Sequence, residues 1–147
     1  MGAALRKAEG WDVRLARWVD SRRGAVFVWG ETDCALLAFE ALDAMAGNLE
    51  TLAGRFRGQW QDRLGALRYQ HHHATDARQE LEKAGCVPIA PGFQQRGDVL
   101  VAPRDGFACA HVCTGRMSLA AWPDLGVHWC DTAAVLAIGA VVLRLPD

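Results

Sequence analysis

The segment Phe27-Val28-Trp29-Gly30-Glu31-Thr32-Asp33-Cys34 decides the fold, because it delivers a cysteine to the start of a helix-like run from Ala35 to Ala46. A thiol on the first turn of a helix lies near the positive end of the macrodipole and near unpaired backbone N–H groups. Both features favour the thiolate, which is the form that attacks carbonyl carbon. Cys34 is therefore the candidate nucleophile.

The candidate base lies downstream, in the stretch from Gly97 to Val112. There His111 stands in an apolar run that predicts a β-strand. An imidazole beside the thiol would favour the thiolate and return a proton to a leaving amine, while N–H groups at the start of the cysteine helix would meet an oxyanion. A third group would orient the imidazole, and the candidates are His128, Asp124 and Asp131.

The first half of the chain is predicted to be helical. Apolar residues at the spacing of one helical face predict a helix that ends by Gly24: Trp11, Leu15, Trp18 and Val19. The cysteine helix has Thr32 or Asp33 as its N-cap and Gly47 as its C-terminal stop. Residues 49–84 are expected to form shorter helical pieces, broken at three glycines: Gly54, Gly58 and Gly65.

The second half of the chain changes to short β-like runs punctuated by Pro and Gly. They are Cys86 to Ile89, Asp98 to Ala102, Ala108 to Thr114, Leu119 to Trp122, Val127 to Cys130 and Ala140 to Leu145. Helices first and strands second predict an α+β fold, with N-terminal helices packed on a C-terminal antiparallel sheet. The length of 147 residues favours a single domain over 1–147.

Composition narrows the range of partners. Sixteen Lys+Arg against seventeen Asp+Glu give no broad basic face, so nucleic acid is not an expected partner. The longest apolar stretch, Ala133 to Leu143, is far shorter than the roughly 20 residues of a membrane-spanning helix. The N-terminus lacks the apolar core of a signal peptide, so we expect synthesis in the cytoplasm without a secretory leader.

The five cysteines show no CxxC pair, and free thiols are the expectation. Cys109, His111 and Cys113 alternate along one predicted strand and could form a zinc or iron–sulfur set with Cys130 or His128. Side chains two apart on a flat strand lie ~6.6 Å apart, too far for one metal without a bend. We therefore expect no metal and no cofactor. The run His71-His72-His73 is interpreted as a solvated loop or helix junction.

These motifs carry a family resemblance. Trp29-Gly30-Glu31-Thr32-Asp33-Cys34, with Arg96-Gly97-Asp98-Val99 and His111-Val112 downstream, resembles the NlpC-type cysteine peptidases, papain-like enzymes that cut peptide bonds in bacterial cell-wall stems. The chain is most similar to a small phage-tail group of that superfamily. Two further segments carry this likeness: Arg57-Gly58-Gln59-Trp60 and Gly65-Ala66-Leu67-Arg68.

The resemblance implies a papain-like fold with Cys34 as nucleophile, His111 as base and His128 in the third polar position. It implies a thiol hydrolase at a phage or phage-like tail tip that cleaves an amide bond in peptidoglycan stem peptides. The protein would be a virion component made in the bacterial cytoplasm. Other tail proteins, such as the hub and the distal-tail ring, would be its partners. Apart from the resemblance, the position of Trp29 beside the candidate nucleophile predicts that it lines a substrate groove.

A structural role is the alternative hypothesis: a tail-tip or tail-assembly protein that keeps the fold without the activity. The enzymes commonly have Ser-Gly after the cysteine, whereas Ala35-Leu36 stand here. The usual His-Val-Gly-Ile strand is replaced by His111-Val112-Cys113-Thr114-Gly115. Both departures favour the structural role, whereas the presence of Cys34 and His111 together favours the enzyme.

Overall fold

A computed structural model describes residues 4–147. Within them the helices precede most of the strands along the chain, as predicted. The helices are α1 (Trp11–Arg22), α2 (Cys34–Ala46), α3 (Ala53–Phe56), α4 (Arg63–His73), α5 (Ala77–Lys83) and α6 (Thr132–Ala137). The strands are β1 (Val87–Ile89), β2 (Val99–Arg104), β3 (Phe107–Cys113), β4 (Met117–Trp122), β5 (Gly126–Asp131) and β6 (Val141–Arg144).

The strands form one six-stranded sheet in the order β1-β6-β2-β3-β4-β5, and every neighbouring pair is antiparallel. Strand β3, which carries His111, lies inside the sheet. It pairs with β2 from Val99↔Val112 to Arg104↔Phe107. The α+β class with an antiparallel sheet is therefore confirmed.

The hydrophobic core lies on both faces of the sheet. The larger cluster joins α1 and α2 to one face, and Leu36, Leu37, Phe39 and Leu42 of α2 are essentially inaccessible. A smaller cluster on the other face includes Leu100 and Val142 from the strands and Val135 from α6. The α2 helix is thereby fixed against the middle of the sheet, and its first residue is Cys34.

Two predictions about the helical region were wrong. Gly54 lies inside α3 and Gly65 inside α4, so neither glycine breaks a helix. Gly65 is tolerated near the start of α4 because the Asp62 side chain caps that helix, accepting the backbone N–H of Gly65 at 2.6 Å. Gly58 does separate α3 from α4, with φ of 78°. The short helix α6 was not predicted, and Asp131 caps it.

The histidine run His71-His72-His73 forms the last turn of α4 and is exposed, which agrees with a helix junction. Within residues 4–147, no helix combines the length and the apolar character needed to cross a membrane.

Candidate functional site

The start of α2 is organised by Asp33, whose side chain is 2% exposed. Its carboxylate accepts the backbone N–H of Leu36 at 2.9 Å and that of Gly30 at 2.8 Å. It also accepts the indole N–H of Trp60 at 2.6 Å. Burial raises the pKa of Asp33, and these hydrogen bonds oppose that shift. Asp33 is thus the N-cap that orients the first turn of α2 and the following residue, Cys34.

The turn before Cys34 is held by the segment Arg57–Trp60. The N–H of Gly58 donates to the Gly30 carbonyl at 2.9 Å, and the Arg57 guanidinium donates to the Glu31 carbonyl at 3.1 Å. A Cβ atom on Gly30 would lie 2.0 Å from the Trp60 carbonyl oxygen. Glycine is therefore required at position 30 both by this close approach and by its φ of 77°.

The Cys34 thiol is 9% exposed and lies against β3. It hydrogen bonds with the Cys109 thiol and accepts the backbone N–H of Ala110. The hydrogen bond with Cys109, followed by burial, raises the pKa of Cys34 well above its ordinary value, and the Ala110 N–H opposes that rise. In this arrangement Cys34 is a neutral thiol near pH 7.

The contact between Cys34 and β3 lies where β3 separates from β4. Strands β3 and β4 pair only at Val112↔Leu119 and Cys113↔Ser118, whereas β2 pairs with β3 from Phe107 to Val112. The part of β3 that precedes Val112 is therefore not paired with β4. The start of α2 meets β3 there, so Ala110 can donate to sulfur.

His111 follows Ala110 on the same strand and is 5% exposed. Its Nδ1 lies 3.3 Å from the Leu100 carbonyl oxygen, and the ring also contacts the Cys109 carbonyl. Burial lowers the pKa of His111, the two carbonyls oppose that shift, and the charges of Arg104 and His128 lower it further.

Cys34 lies against the stretch of β3 that carries His111, but the two side chains contact different groups. No hydrogen bond joins them within residues 4–147. The polar contact that the His111 ring makes is with the Leu100 carbonyl and not with the Cys34 thiol. The Cys34–His111 pair therefore stays a prediction.

His128 lies near His111, since its charge contributes to the low pKa of His111. Its Nδ1 is 2.9 Å from the Gly126 carbonyl oxygen. Of the other candidates for a third polar position, Asp131 caps α6 by accepting the Ala133 N–H at 2.9 Å. The structure thus places His128 within electrostatic range of His111.

Cys109 is the residue that sequence reasoning did not assign to the site. It is 1% exposed, and its hydrogen bond with Cys34 lowers its pKa, as does the charge of Arg104, while burial opposes the shift. The alternation of Cys109 with His111 was visible in the sequence but suggested a metal. Only the fold shows that the thiol next to Cys109 belongs to Cys34.

Cys34 also forms part of the wall of a cavity of about 50 Å³ between the start of α2, helices α4 and α5, and the beginning of β3. Trp29 lines this cavity. The cavity surface is mainly apolar. A group held there would lie next to the sulfur of Cys34.

The chain matches the model of a family described as a domain of unknown function, DUF6950, over residues 6–139. It belongs to the DUF6950 family. No curated protein matches this DUF6950 chain.

The described part of the DUF6950 chain, residues 4–147, has no group of three or more His, Cys, Asp or Glu side chains arranged to hold a metal ion. Cys109 and Cys113 do not converge, because Cys109 contacts Cys34 whereas the Cys113 thiol donates to the Gly115 carbonyl at 3.5 Å.

Proposed function

We propose that the protein is an NlpC-type, papain-like cysteine hydrolase that cleaves an amide bond in peptidoglycan stem peptides, acting at a phage or phage-like tail tip. The observation that carries the proposal is the position of the Cys34 thiol. It lies on the first turn of α2, in the wall of a cavity, and against the strand that carries His111. The substrate and the tail location come from the resemblance in Trp29–Cys34, Arg57–Trp60 and Gly65–Arg68.

The proposed reaction has two steps. The Cys34 sulfur attacks the amide carbonyl carbon, and its proton passes through His111 to the amine that leaves when the C–N bond breaks. Water then hydrolyses the thioester and restores the thiol. For this step the His111 ring would exchange its contact with the Leu100 carbonyl for one with Cys34.

The oxyanion donor proposed here is the backbone N–H of Ala110, which already contacts the Cys34 sulfur. The N–H groups at the start of α2 were the expected donors, but Asp33 already accepts that of Leu36 at 2.9 Å. The helix terminus would then orient and polarise the site, and β3 would supply the donor.

A structural tail-tip or tail-assembly protein is the second candidate, and specific observations favour it. The His111 ring is hydrogen bonded to backbone carbonyls rather than to Cys34, and the pKa of Cys34 is raised rather than lowered. In that case the hub and the distal-tail ring would be its binding partners, with no reaction at Cys34.

Muropeptide release from purified peptidoglycan, followed by mass spectrometry, tests the proposal. The wild type should release products whose masses identify the cleaved bond, and Cys34→Ala and His111→Ala should release none. Cys86→Ala is the matched control, because Cys86 is a buried thiol in the core and does not line the cavity. No release by folded wild-type protein, beside an active reference enzyme, would favour the structural candidate.

A further inference from the structure

One arginine near the candidate site has no acidic partner. The half-buried arginines Arg22, Arg57 and Arg144 each form an ion pair with a buried carboxylate. Arg104, the last residue of β2, is also half-buried, yet none of the ion pairs within residues 4–147 includes it. An arginine stays protonated in proteins. In the described part of the chain, the guanidinium of Arg104 is therefore a cation without an anion.

The Arg104 guanidinium is held by Trp122 on β4, with its Cζ atom 4.0 Å from the centroid of the indole ring. A cation over the face of a tryptophan is attracted by the ring. Strand β3 lies between the strands that carry these two residues. Because Arg104 pairs with Phe107 in the sheet, its side chain reaches across the first half of β3, which is not paired with β4.

The charge of Arg104 acts on two groups of the candidate site. The hydrogen bond with Cys34 is the main cause of the lowered pKa of Cys109, and the charge of Arg104 lowers that pKa further. Burial is the main cause of the lowered pKa of His111, to which the charge of Arg104 also contributes. The Coulomb energy falls with distance, so the guanidinium lies near both groups. Arg104 is thus close to the thiol pair and to the candidate base.

The chemistry of this cation fits a carboxylate. A guanidinium presents a planar fork of N–H donors that matches the two oxygens of a carboxylate, and such pairs are among the strong hydrogen bonds of proteins. The contact with the Trp122 ring orients the guanidinium without neutralising its charge. A carboxylate that approaches the site would therefore meet a cation that is already positioned.

We propose that Arg104 binds a carboxylate of the substrate peptide next to the scissile amide and is a specificity-determining residue of the site. The inference rests on the proposed function, because Cys34 must attack an amide for Arg104 to select a substrate. Stem peptides contain diacid residues, which keep a free carboxylate when the other carboxyl group forms an amide. The substrate class is therefore a peptide amide with a carboxylate beside the bond that is cleaved.

Binding can be tested without turnover by NMR titration of the ¹⁵N-labelled Cys34→Ala chain with two probes. The first is a purified disaccharide-tetrapeptide muropeptide with free carboxylates, and the second is the same muropeptide after conversion of its carboxylates to primary amides. The free-acid probe should give saturable shifts at the Arg104 Nε–H and the Trp122 indole N–H. The amidated probe should bind at least about tenfold more weakly, because it lacks the charge-assisted hydrogen bonds.

Substitution of Arg104 tests whether this residue carries the preference. Arg104→Gln removes the cation, so the two probes should bind equally weakly. Arg104→Lys keeps the charge without the planar fork and should keep only part of the preference. Arg116→Gln is the matched control for net charge, because Arg116 is exposed in the turn between β3 and β4, at the other end of β3; it should keep the full preference. Equal affinity for both probes before substitution, or a preference that survives Arg104→Gln, would overturn the inference.

The muropeptide-release assay, run on native and on amidated peptidoglycan, separates this inference from the proposed function. Release that is lost in Cys34→Ala but equal on both substrates, with or without Arg104→Gln, would leave the hydrolase intact and overturn the role of Arg104. A fall by the same factor on both substrates in Arg104→Gln would also overturn that role, since the charge would then act on the thiol or imidazole. An Arg104-dependent preference for the free-acid probe without any release would support the carboxylate site and contradict the hydrolase. Absence of both binding and release would overturn both.

Discussion

The indole N–H of Trp60 donates a 2.6 Å hydrogen bond to the buried carboxylate of Asp33, across 27 positions in the chain. Asp33 is also the cap of α2, so a residue from the α3–α4 connection takes part in fixing the helix start that carries Cys34. The two motifs that the sequence analysis connected only by resemblance, Trp29–Cys34 and Arg57–Trp60, are thus one structural unit.

Replacement of Trp60 by Phe should lower the free energy of unfolding by about 1.5–3 kcal/mol. The change leaves a buried carboxylate with one fewer donor, and hydrogen bonds to charged groups have about this value. Chemical denaturation measures the effect. Trp129→Phe is the control, because Trp129 is 41% exposed, and it should cost much less. Equal losses in the two variants would contradict a special role for the Trp60–Asp33 bond.

Gly30→Ala should destabilise the protein by at least about 3 kcal/mol, because the new Cβ would meet the Trp60 carbonyl oxygen at 2.0 Å in a left-handed conformation. Gly24→Ala is the matched control. Gly24 has nearly the same φ, 79°, but a Cβ added there would have no neighbour within 4 Å. Gly24→Ala should lower the free energy of unfolding by only about 1–2 kcal/mol. Thermal and denaturant unfolding would show whether the difference between the two variants exists.

Much of the fold could be predicted because its signals are local. The i, i+4, i+7 spacing in Trp11–Val19 gave the first helix, and short apolar runs between Pro and Gly gave all six strands. Gly54 and Gly65 misled the prediction because a glycine lowers helix propensity only modestly, and capping by Asp62 outweighs that loss at α4.

The site was less predictable because it depends on contacts between distant segments. Cys34 and the direction of α2 follow from the local Asp-Cys motif. The contact between Cys34 and Cys109 depends on how β3 separates from β4, which no local pattern encodes. The contact of His111 with the Leu100 carbonyl likewise depends on the register between β2 and β3.

Cys109→Ala should increase the rate at which Cys34 reacts with iodoacetamide near pH 8, by at least about threefold. The hydrogen bond with Cys109 is the largest cause of the raised pKa of Cys34, so its removal brings that pKa down toward the ordinary value. Peptide mapping by mass spectrometry gives the rate for each cysteine. The rate rises because a larger fraction of Cys34 is thiolate in the Cys109→Ala variant, and the thiolate is the form that reacts.

Cys113→Ala is the control for this experiment. Cys113 lies on the same strand and is equally buried, but its thiol donates to the Gly115 carbonyl. The Cys113→Ala change should leave the reactivity of Cys34 unchanged. An increase of the same size in Cys113→Ala would show that loosening of the strand, not the thiol–thiol hydrogen bond, controls Cys34.

His111 should make the protein less stable as the pH falls from about 7 toward 5. Burial lowers the pKa of His111 in the folded state below its ordinary value of about 6.5, so below that pH the unfolded chain binds a proton more readily than the native protein does. Stability is therefore lost as the pH falls through the unfolded pKa toward the folded one, with a slope of at most ~1.4 kcal/mol per pH unit. Above about pH 7 this pH dependence vanishes, because the ring is neutral in both states.

His111→Gln should flatten this part of the stability curve in denaturant titrations, whereas His72→Gln, at an exposed position of α4, should leave it unchanged. The same slope in both variants would mean that other groups carry the pH dependence.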